Sequence, residues 1–262
     1  MFQFFSLKRS NIFIHIPKVG GSTFVGLLKE SVKTSKEERS KSTHLTERVG
    51  HTYIKHVDFY RVDRRFKMPE IFAGSSTTSF SKKNIFMLTR DPADRLQSEF
   101  NFQYHVLDGK RGSSKAAILS RLSSLPKNLM AYANNKETQD YQCKFLLGRK
   151  IADPEPITEE EFESIVHAIE SLPIHCGTTD EYGAFLNLFQ EVSGLSLKPE
   201  MVIRKKTPKE FHKQLSDSQR KKIYELNKFD LRLFNYVKSI NQGKVFKSVK
   251  DFRFMQNEDF TV

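Results

Sequence analysis

Two short segments carry the residue types best suited to holding an anion. The first is Lys18-Val19-Gly20-Gly21-Ser22-Thr23, which follows Asn11-Ile12-Phe13-Ile14-His15-Ile16-Pro17. Glycines at 20 and 21 let the backbone approach a ligand closely, and peptide N–H groups at a helix start favour negative charge. Lys18, Ser22 and Thr23 add side-chain donors to such a cradle. The order differs from the nucleoside triphosphatase loop G-x-x-x-x-G-K-[ST], because here the lysine precedes the glycines. The second segment is Thr89-Arg90-Asp91-Pro92-Ala93-Asp94-Arg95-Leu96-Gln97-Ser98-Glu99-Phe100. Arg90 closes a strand-like run and Ser98 falls about two turns into the helix that follows. Both suit one anion at the carboxyl edge of a sheet, where open α/β sheets bind ligands. Simpler alternatives stand beside these readings: a Gly-Gly pair that is only a turn, an Arg90–Asp94 ion pair, and a solvated Ser98.

The surrounding sequence supplies elements to position both segments. Residues 11–16 read as a strand buried on both faces and ending at Pro17. Phe24, Val25, Leu27, Leu28 and Val32 then form a helical apolar stripe, with Ser22 or Thr23 available as its cap. A second strand is expected within residues 49–60, and residues 84–89 read as another. Leu96, Phe100 and Tyr104 recur every four residues, so a helix starts near Pro92. Thr158-Glu159-Glu160-Glu161 is a capping box ahead of an amphipathic helix. Residues 173–177 suggest a short strand, and a helix from Thr179 stops at Gly194. One last long helix is expected from about Ser216 to Ile240. Strands alternating with helices predict an α/β fold, a central and mainly parallel sheet flanked by helices.

Composition narrows the classes. The 262 residues carry 43 Lys and Arg against 31 Asp and Glu, a formal charge of +12. Hydrophobic residues make up 38%, with 23 Phe and no Trp, enough for a packed core. No apolar run approaches the ~18–20 residues that cross a bilayer. Cys143 and Cys176 are too few for a disulfide framework or a thiolate zinc site and read as small buried hydrophobes. His44, His105, His167, His175 and His212 have no partner at metal-ligand spacing, and His15 reads as structural. The basic excess suits nucleic acid, acidic membranes, phosphorylated nucleotides or an anionic polysaccharide.

Together, residues 14–24 and 89–100 resemble the two nucleotide-binding segments of carbohydrate sulfotransferases, most nearly the heparan sulfate 2-O- and 6-O-sulfotransferases and their bacterial relatives. The resemblance implies a P-loop-like sulfotransferase fold and 3′-phosphoadenosine-5′-phosphosulfate (PAPS) as sulfuryl donor. It places Lys18, Gly20, Gly21, Ser22 and Thr23 on the 5′ side and Arg90 and Ser98 at the 3′-phosphate. Gly50-His51-Thr52-Tyr53-Ile54-Lys55-His56 is similar to the family segment whose histidine acts as base. His51 is the first choice and His56, in His56-Val57-Asp58-Phe59, the second. Tyr141-Gln142-Cys143-Lys144-Phe145-Leu146-Leu147-Gly148 looks like the Asn-x-Gln-Thr-Arg-x-Leu-x-Gly helix, with Cys143 and Lys144 where Thr and Arg are usual. Residues 177–182 and 227–234 are similar to two later segments, and Arg204-Lys205-Lys206-Thr207 falls where relatives close a loop over the nucleotide. The likeness covers about residues 11–240 of a single 1–262 domain, leaving 241–262 as a tail.

The resemblance implies transfer of a sulfuryl group from PAPS to a carbohydrate hydroxyl, with 3′-phosphoadenosine-5′-phosphate as product and no metal required. Lys18 would stabilise charge on the departing bridging oxygen. A histidine of ordinary pKa near 6.5 would take the hydroxyl proton. Arg61, Arg64, Arg65 and Lys67, or Lys110, Arg111 and Lys115, could line a glycan cleft, and no nucleic acid is expected. The alternatives are a P-loop-like nucleotide kinase and a non-catalytic basic protein that binds glycan or nucleic acid. The absence of any Asn-x-Ser/Thr acceptor leads to an expected cytoplasmic location; a Golgi lumen is the alternative if a membrane anchor precedes this chain.

Overall fold

The computed structural model describes residues 11–31, 51–54, 59–62, 84–102, 128–149, 153–197 and 214–241. Its core is a five-stranded sheet. The strands are β1 (Asn11–Ile14), β2 (His51–Ile54), β3 (Phe59–Val62), β4 (Asn84–Thr89) and β5 (Ile174–Thr178). Every residue of β1 and β4 is buried, as the apolar runs 12–14 and 85–88 require of strands covered on both faces. The two leading asparagines bond each other, Asn84 Nδ2 donating to Asn11 Oδ1 at 3.2 Å. β1 stops at Ile14, two residues earlier than the sequence predicts; His15 and Ile16 stay buried but leave the ladder.

The strand order is β2-β3-β1-β4-β5, with β3, β1, β4 and β5 parallel and β2 antiparallel to β3. The single strand expected within 49–60 is thus two strands paired as an antiparallel edge. From β1 the chain passes to β3 on one side, and from β4 to β5 on the other. The strand order therefore diverges between β1 and β4, and the crevice at their carboxyl ends is where an open α/β sheet takes a ligand.

Helices pack on the sheet through phenylalanines. Register aligns Phe13, Phe86 and His175 across β1, β4 and β5. Phe24 of α1 (Gly21–Ser31) lies 4.7 Å from Phe13 between ring centroids. Phe189 of α6 (Tyr182–Ser193) meets Phe86 and Phe24 edge-on at 4.8 Å each. Each such buried ring contributes about 1.5–3 kcal/mol of transfer free energy. Along β5, Cys176 alternates with His175 and shares a cavity wall with Tyr236 of α8 (Lys228–Asn241). Phe162 of α5 (Glu159–Ser171) packs on Phe229 of α8 at 5.6 Å. The expected capping box opens α5: the Thr158 hydroxyl accepts the Glu161 N–H while the Glu161 carboxylate accepts the Thr158 N–H.

Four more helices and a short 3-10 turn (Lys136–Thr138) complete the described elements: α2 (Pro92–Asn101), α3 (Leu129–Ala133), α4 (Tyr141–Leu146) and α7 (Asp217–Leu226), the last preceding α8. The long helix predicted over 216–240 is therefore two helices, broken at Asn227. The break has a long-range cause. Asn227 Oδ1 accepts the Asp140 N–H at 3.0 Å while its Nδ2 donates to Ile223 O at 2.9 Å. Asp140 Oδ1 then accepts the N–H groups of Phe229 and Asp230 at 2.9 and 3.0 Å, capping α8. Asp230 returns the bond to α4, accepting the N–H of Gln142 at 3.0 Å and of Cys143 at 2.9 Å. Each helix N-terminus is thus capped by the other's aspartate, the placement of charge that a helix dipole favours. Among the described residues, no helix is long and apolar enough to cross a membrane.

Candidate functional site

The turn after β1 is shaped by its own packing. α1 begins at Gly21, so neither Ser22 nor Thr23 caps it as predicted; the Gly20 carbonyl accepts the N–H groups of Thr23 and Phe24 at 3.0 and 3.2 Å. Gly20 has φ 83°, a left-handed backbone open to glycine, and Lys18 adopts φ 71°, which costs a side-chain-bearing residue about 1–3 kcal/mol. Gly21 serves the core as well as the turn: a Cβ there would lie 2.0 Å from His15 Cδ2 and 2.9 Å from Phe13 Cε1. The first-turn amides of Gly21 and Ser22 lie outside the helical ladder, as at any helix start. Ser22 is exposed and Thr23 half-buried beside them. Tyr182 of α6 donates its hydroxyl to Gly20 O at 3.3 Å, and burial pushes that phenol above its ordinary pKa.

The second segment meets the first through Arg90. Its Nη1 donates to the Lys18 carbonyl at 3.2 Å, across the mouth of the β1–β4 crevice. Burial lowers the guanidinium pKa, with the Asp94, Asp91 and Asp180 charges opposing that shift. The alternative of a simple Arg90–Asp94 pair gives way to a different arrangement. Asp94 accepts from Arg220 Nη2 of α7 at 2.7 Å. Asp91 caps α2, Oδ1 accepting the N–H groups of Ala93 and Asp94 at 2.9 and 3.0 Å, and the same oxygen takes Arg220 Nη1 at 3.0 Å. Tyr224 donates to Asp91 Oδ2 at 2.6 Å. Those two carboxylates anchor α7 to α2, which leaves Arg90 directed at the turn.

Lys18 extends from that turn to the far end of α2, where its ammonium lies 4.2 Å from the Phe102 ring centroid. Phe102 follows the last turn of α2, and its N–H donates to the carbonyls of Ser98 and Glu99. Ser98 is half-buried on that turn. Lys18 therefore spans from Arg90 to the part of α2 that carries Ser98. The structure brings together Lys18, Gly20, Gly21, Ser22, Thr23 and Arg90 around the carboxyl ends of β1 and β4, with Ser98 reached through Lys18 and Phe102.

His51 opens β2 opposite Val62, and Val62 pairs with Ile14 at the end of β1. The His51 backbone therefore stands at the same sheet edge as the cradle, two strand spacings or about 10 Å from Ile14. His56, Arg204 and Lys205 lie outside the described residues, as do Arg64, Arg65, Lys67 and the basic residues of 110–115.

Sequence reasoning assigns no role to Gln142, yet this buried side chain grips both backbone polar atoms of Arg90. Its Oε1 accepts the Arg90 N–H at 3.0 Å, and its Nε2 donates to Arg90 O at 2.8 Å. Nothing local announces a bond between residues 52 apart; the only signal is the place of Gln142 in a helix resembling a family segment. Lys144, where the resemblance would have Arg, donates to Lys136 O and Asp153 O at 2.9 Å each, so it ties loops together, and burial lowers its pKa. Cys143 and Cys176 are both buried, and burial pushes the Cys176 thiol up to about 12. Among the described residues, no group of three His, Cys, Asp or Glu side chains is arranged to hold a metal ion.

What this arrangement can do chemically is hold a polyanion. The α1-start amides and the Arg90 guanidinium meet at the carboxyl ends of β1 and β4, and the Lys18 ammonium, over Phe102, is tethered to the same turn. No protein-family model matches the chain, and no curated protein is significantly similar to it.

Proposed function

We propose that the chain is a PAPS-dependent O-sulfotransferase acting on a carbohydrate hydroxyl. The observation that carries this reading is the hydrogen bond from Arg90 Nη1 to Lys18 O, which puts the two segments resembling the family's 5′ and 3′ phosphate sites at one sheet edge. In this reading Gly20 gives the turn its left-handed backbone and Gly21 lets α1 start against His15, the amides of α1 and the Ser22 and Thr23 hydroxyls serve the 5′ end, and Arg90 and Ser98 take the 3′-phosphate. PAPS supplies an activated sulfuryl group, joined to the 5′-phosphate through the bridging oxygen.

Within that frame the chain's work is positioning and electrostatics. The acceptor oxygen forms the new bond to sulfur as the bond to the bridging oxygen breaks, and the electron pair of the latter leaves with the 5′-phosphate. The Lys18 ammonium stabilises that growing charge, for which its side chain must swing from the Phe102 ring. A histidine takes the acceptor's proton: His51, whose backbone stands on the same side of the sheet, or His56. Such a base contributes roughly 10²–10⁴-fold.

Calorimetric titration with 3′-phosphoadenosine-5′-phosphate, against ADP with and without magnesium, tests the donor site. Metal-independent binding, weakened at least about tenfold in Arg90→Ala, is expected from the loss of a charge-assisted phosphate contact. A magnesium-dependent preference for ADP would overturn the proposal in favour of a nucleotide kinase. Transfer of sulfate from PAPS to desulfated glycans then identifies the acceptor.

A further inference from the structure

We propose that Gln142 is a positioning residue for Arg90, fixing the direction in which the guanidinium meets a 3′-phosphate. The inference rests on the sulfotransferase reading of Arg90. Its basis is a feature of the sheet. β1 pairs with β4 only as far as Ile14 and Met87, and β4 ends at Thr89. On the other side, Thr89 O still has a partner, the Thr179 N–H at 3.0 Å. Arg90 lies one residue past the ladder, where its backbone would otherwise turn freely. Gln142 supplies what a neighbouring strand would have supplied, one acceptor for the Arg90 N–H and one donor for its carbonyl. Only one orientation of a primary amide satisfies both, so the side chain is oriented by the bonds it makes.

The clamp is itself held. Gln142 is wholly buried, and its own N–H is bound to the Asp230 carboxylate at 3.0 Å. Asp230 is wholly buried between the two mutually capped helices. Arg95, one turn into α2, lies with its guanidinium over the Tyr141 ring at 4.5 Å, packing the same two helices together. The arginine backbone is thus fixed by α4, while its side chain is fixed by the Lys18 carbonyl of the turn. Two independent anchors define where the remaining N–H groups of the fork point. Removing the backbone anchor leaves the charge in place and frees its direction, which costs most for a ligand that needs the directed contact.

The test compares 3′-phosphoadenosine-5′-phosphate with adenosine 5′-phosphate, which lacks the 3′ group, by calorimetric titration of the full chain. In Gln142→Ala the preference for the 3′-phosphorylated nucleotide is expected to fall by about tenfold, the scale of one directed hydrogen bond to a charged group, with adenosine 5′-phosphate affinity unchanged. In an Arg90→Ala background the same substitution should leave the preference where Arg90→Ala alone puts it. If Gln142→Ala shows no cooperative melting transition, the neutral and similarly long Gln142→Met decides: it fills the buried space but offers Arg90 neither the acceptor nor the donor. An unchanged preference in a folded variant, or equal weakening of both nucleotides, overturns the positioning role while leaving the sulfotransferase reading intact. A wild-type chain with no preference for the 3′-phosphate overturns that reading, and the positioning role with it.

Discussion

The His15 imidazole fills the space that a side chain on Gly21 would need, with Cδ2 only 2.0 Å from a Cβ built there. The first residue of α1 is thus glycine because a buried ring from the end of β1 lies beneath it. Gly21→Ala should force His15 or the turn to move, at the cost of overpacking, about 1–3 kcal/mol. In a chain of this size that corresponds to a melting temperature lower by roughly 2–4 °C per kcal/mol. Adding His15→Ala to Gly21→Ala should recover part of the loss. Thermal melting of the single and double variants checks this, and independent, additive losses would rule out the steric explanation.

Lys18 holds a left-handed backbone that glycine adopts without strain. Lys18→Gly and Lys18→Ala both remove the ammonium, so on the proposed function both should lose sulfuryl transfer. They should differ in stability, with the glycine variant better by about 1–2 kcal/mol, the cost of a Cβ in that region. Chemical denaturation of the pair measures the difference. Equal stabilities would show that the turn relaxes when the side chain is removed.

Arg90→Lys keeps the charge but replaces a fork of donors with a single ammonium. One ammonium cannot hold the Lys18 carbonyl and a phosphate in fixed relative directions. Affinity for 3′-phosphoadenosine-5′-phosphate should fall by about tenfold despite the retained charge. An affinity equal to wild type would mean that Arg90 acts only as a point charge.

Stability should depend on pH through Asp140. Burial, reinforced by the neighbouring Asp230 charge, pushes its carboxyl up to about 7, while the backbone bonds from Asp230 and Phe229 and the Lys144 charge pull it down. In the unfolded chain the group titrates near about 4. Between those values the folded state holds a proton that the unfolded chain has released, so stability is full below about pH 4 and falls as pH rises towards about 7. Asp140→Asn keeps the oxygen that accepts from Phe229 and Asp230 but cannot ionise. The variant should therefore melt a few degrees above wild type at pH 8 and nearly with it at pH 4. An equal offset at both pH values would assign the effect to packing.

Much of this architecture is legible in the sequence where one local rule decides. The run at 84–89 has four apolar residues between Asn84 and Thr89 and is followed by a charged residue, and β4 has those limits. Thr158 and Glu161 stand at capping-box spacing, and α5 begins between them. The meeting of the turn after β1 with Arg90 at the end of β4 follows from two strand-turn-helix patterns. The break at Asn227 does not follow from any local rule, because apolar periodicity continues through it and the bond that sets it comes from Asp140, 87 residues away. The same holds for Gln142, whose partner is a backbone rather than a complementary side chain. Gly21 is a mixed case: a special position is evident from the sequence, but its cause, the His15 ring, is visible only in the packing.

The mutual capping of α4 and α8 has a consequence for how the protein opens. The amides of Gln142 and Cys143 are held by the Asp230 carboxylate and those of Phe229 and Asp230 by the Asp140 carboxylate, so their exchange is expected to be coupled between the two helix starts. They form one unit of subglobal unfolding joined across the chain rather than along it. Because Gln142 belongs to that unit, every such opening also releases the backbone of Arg90. The lifetime of the Arg90–Lys18 edge is thereby tied to the first turn of a helix near the end of the described chain.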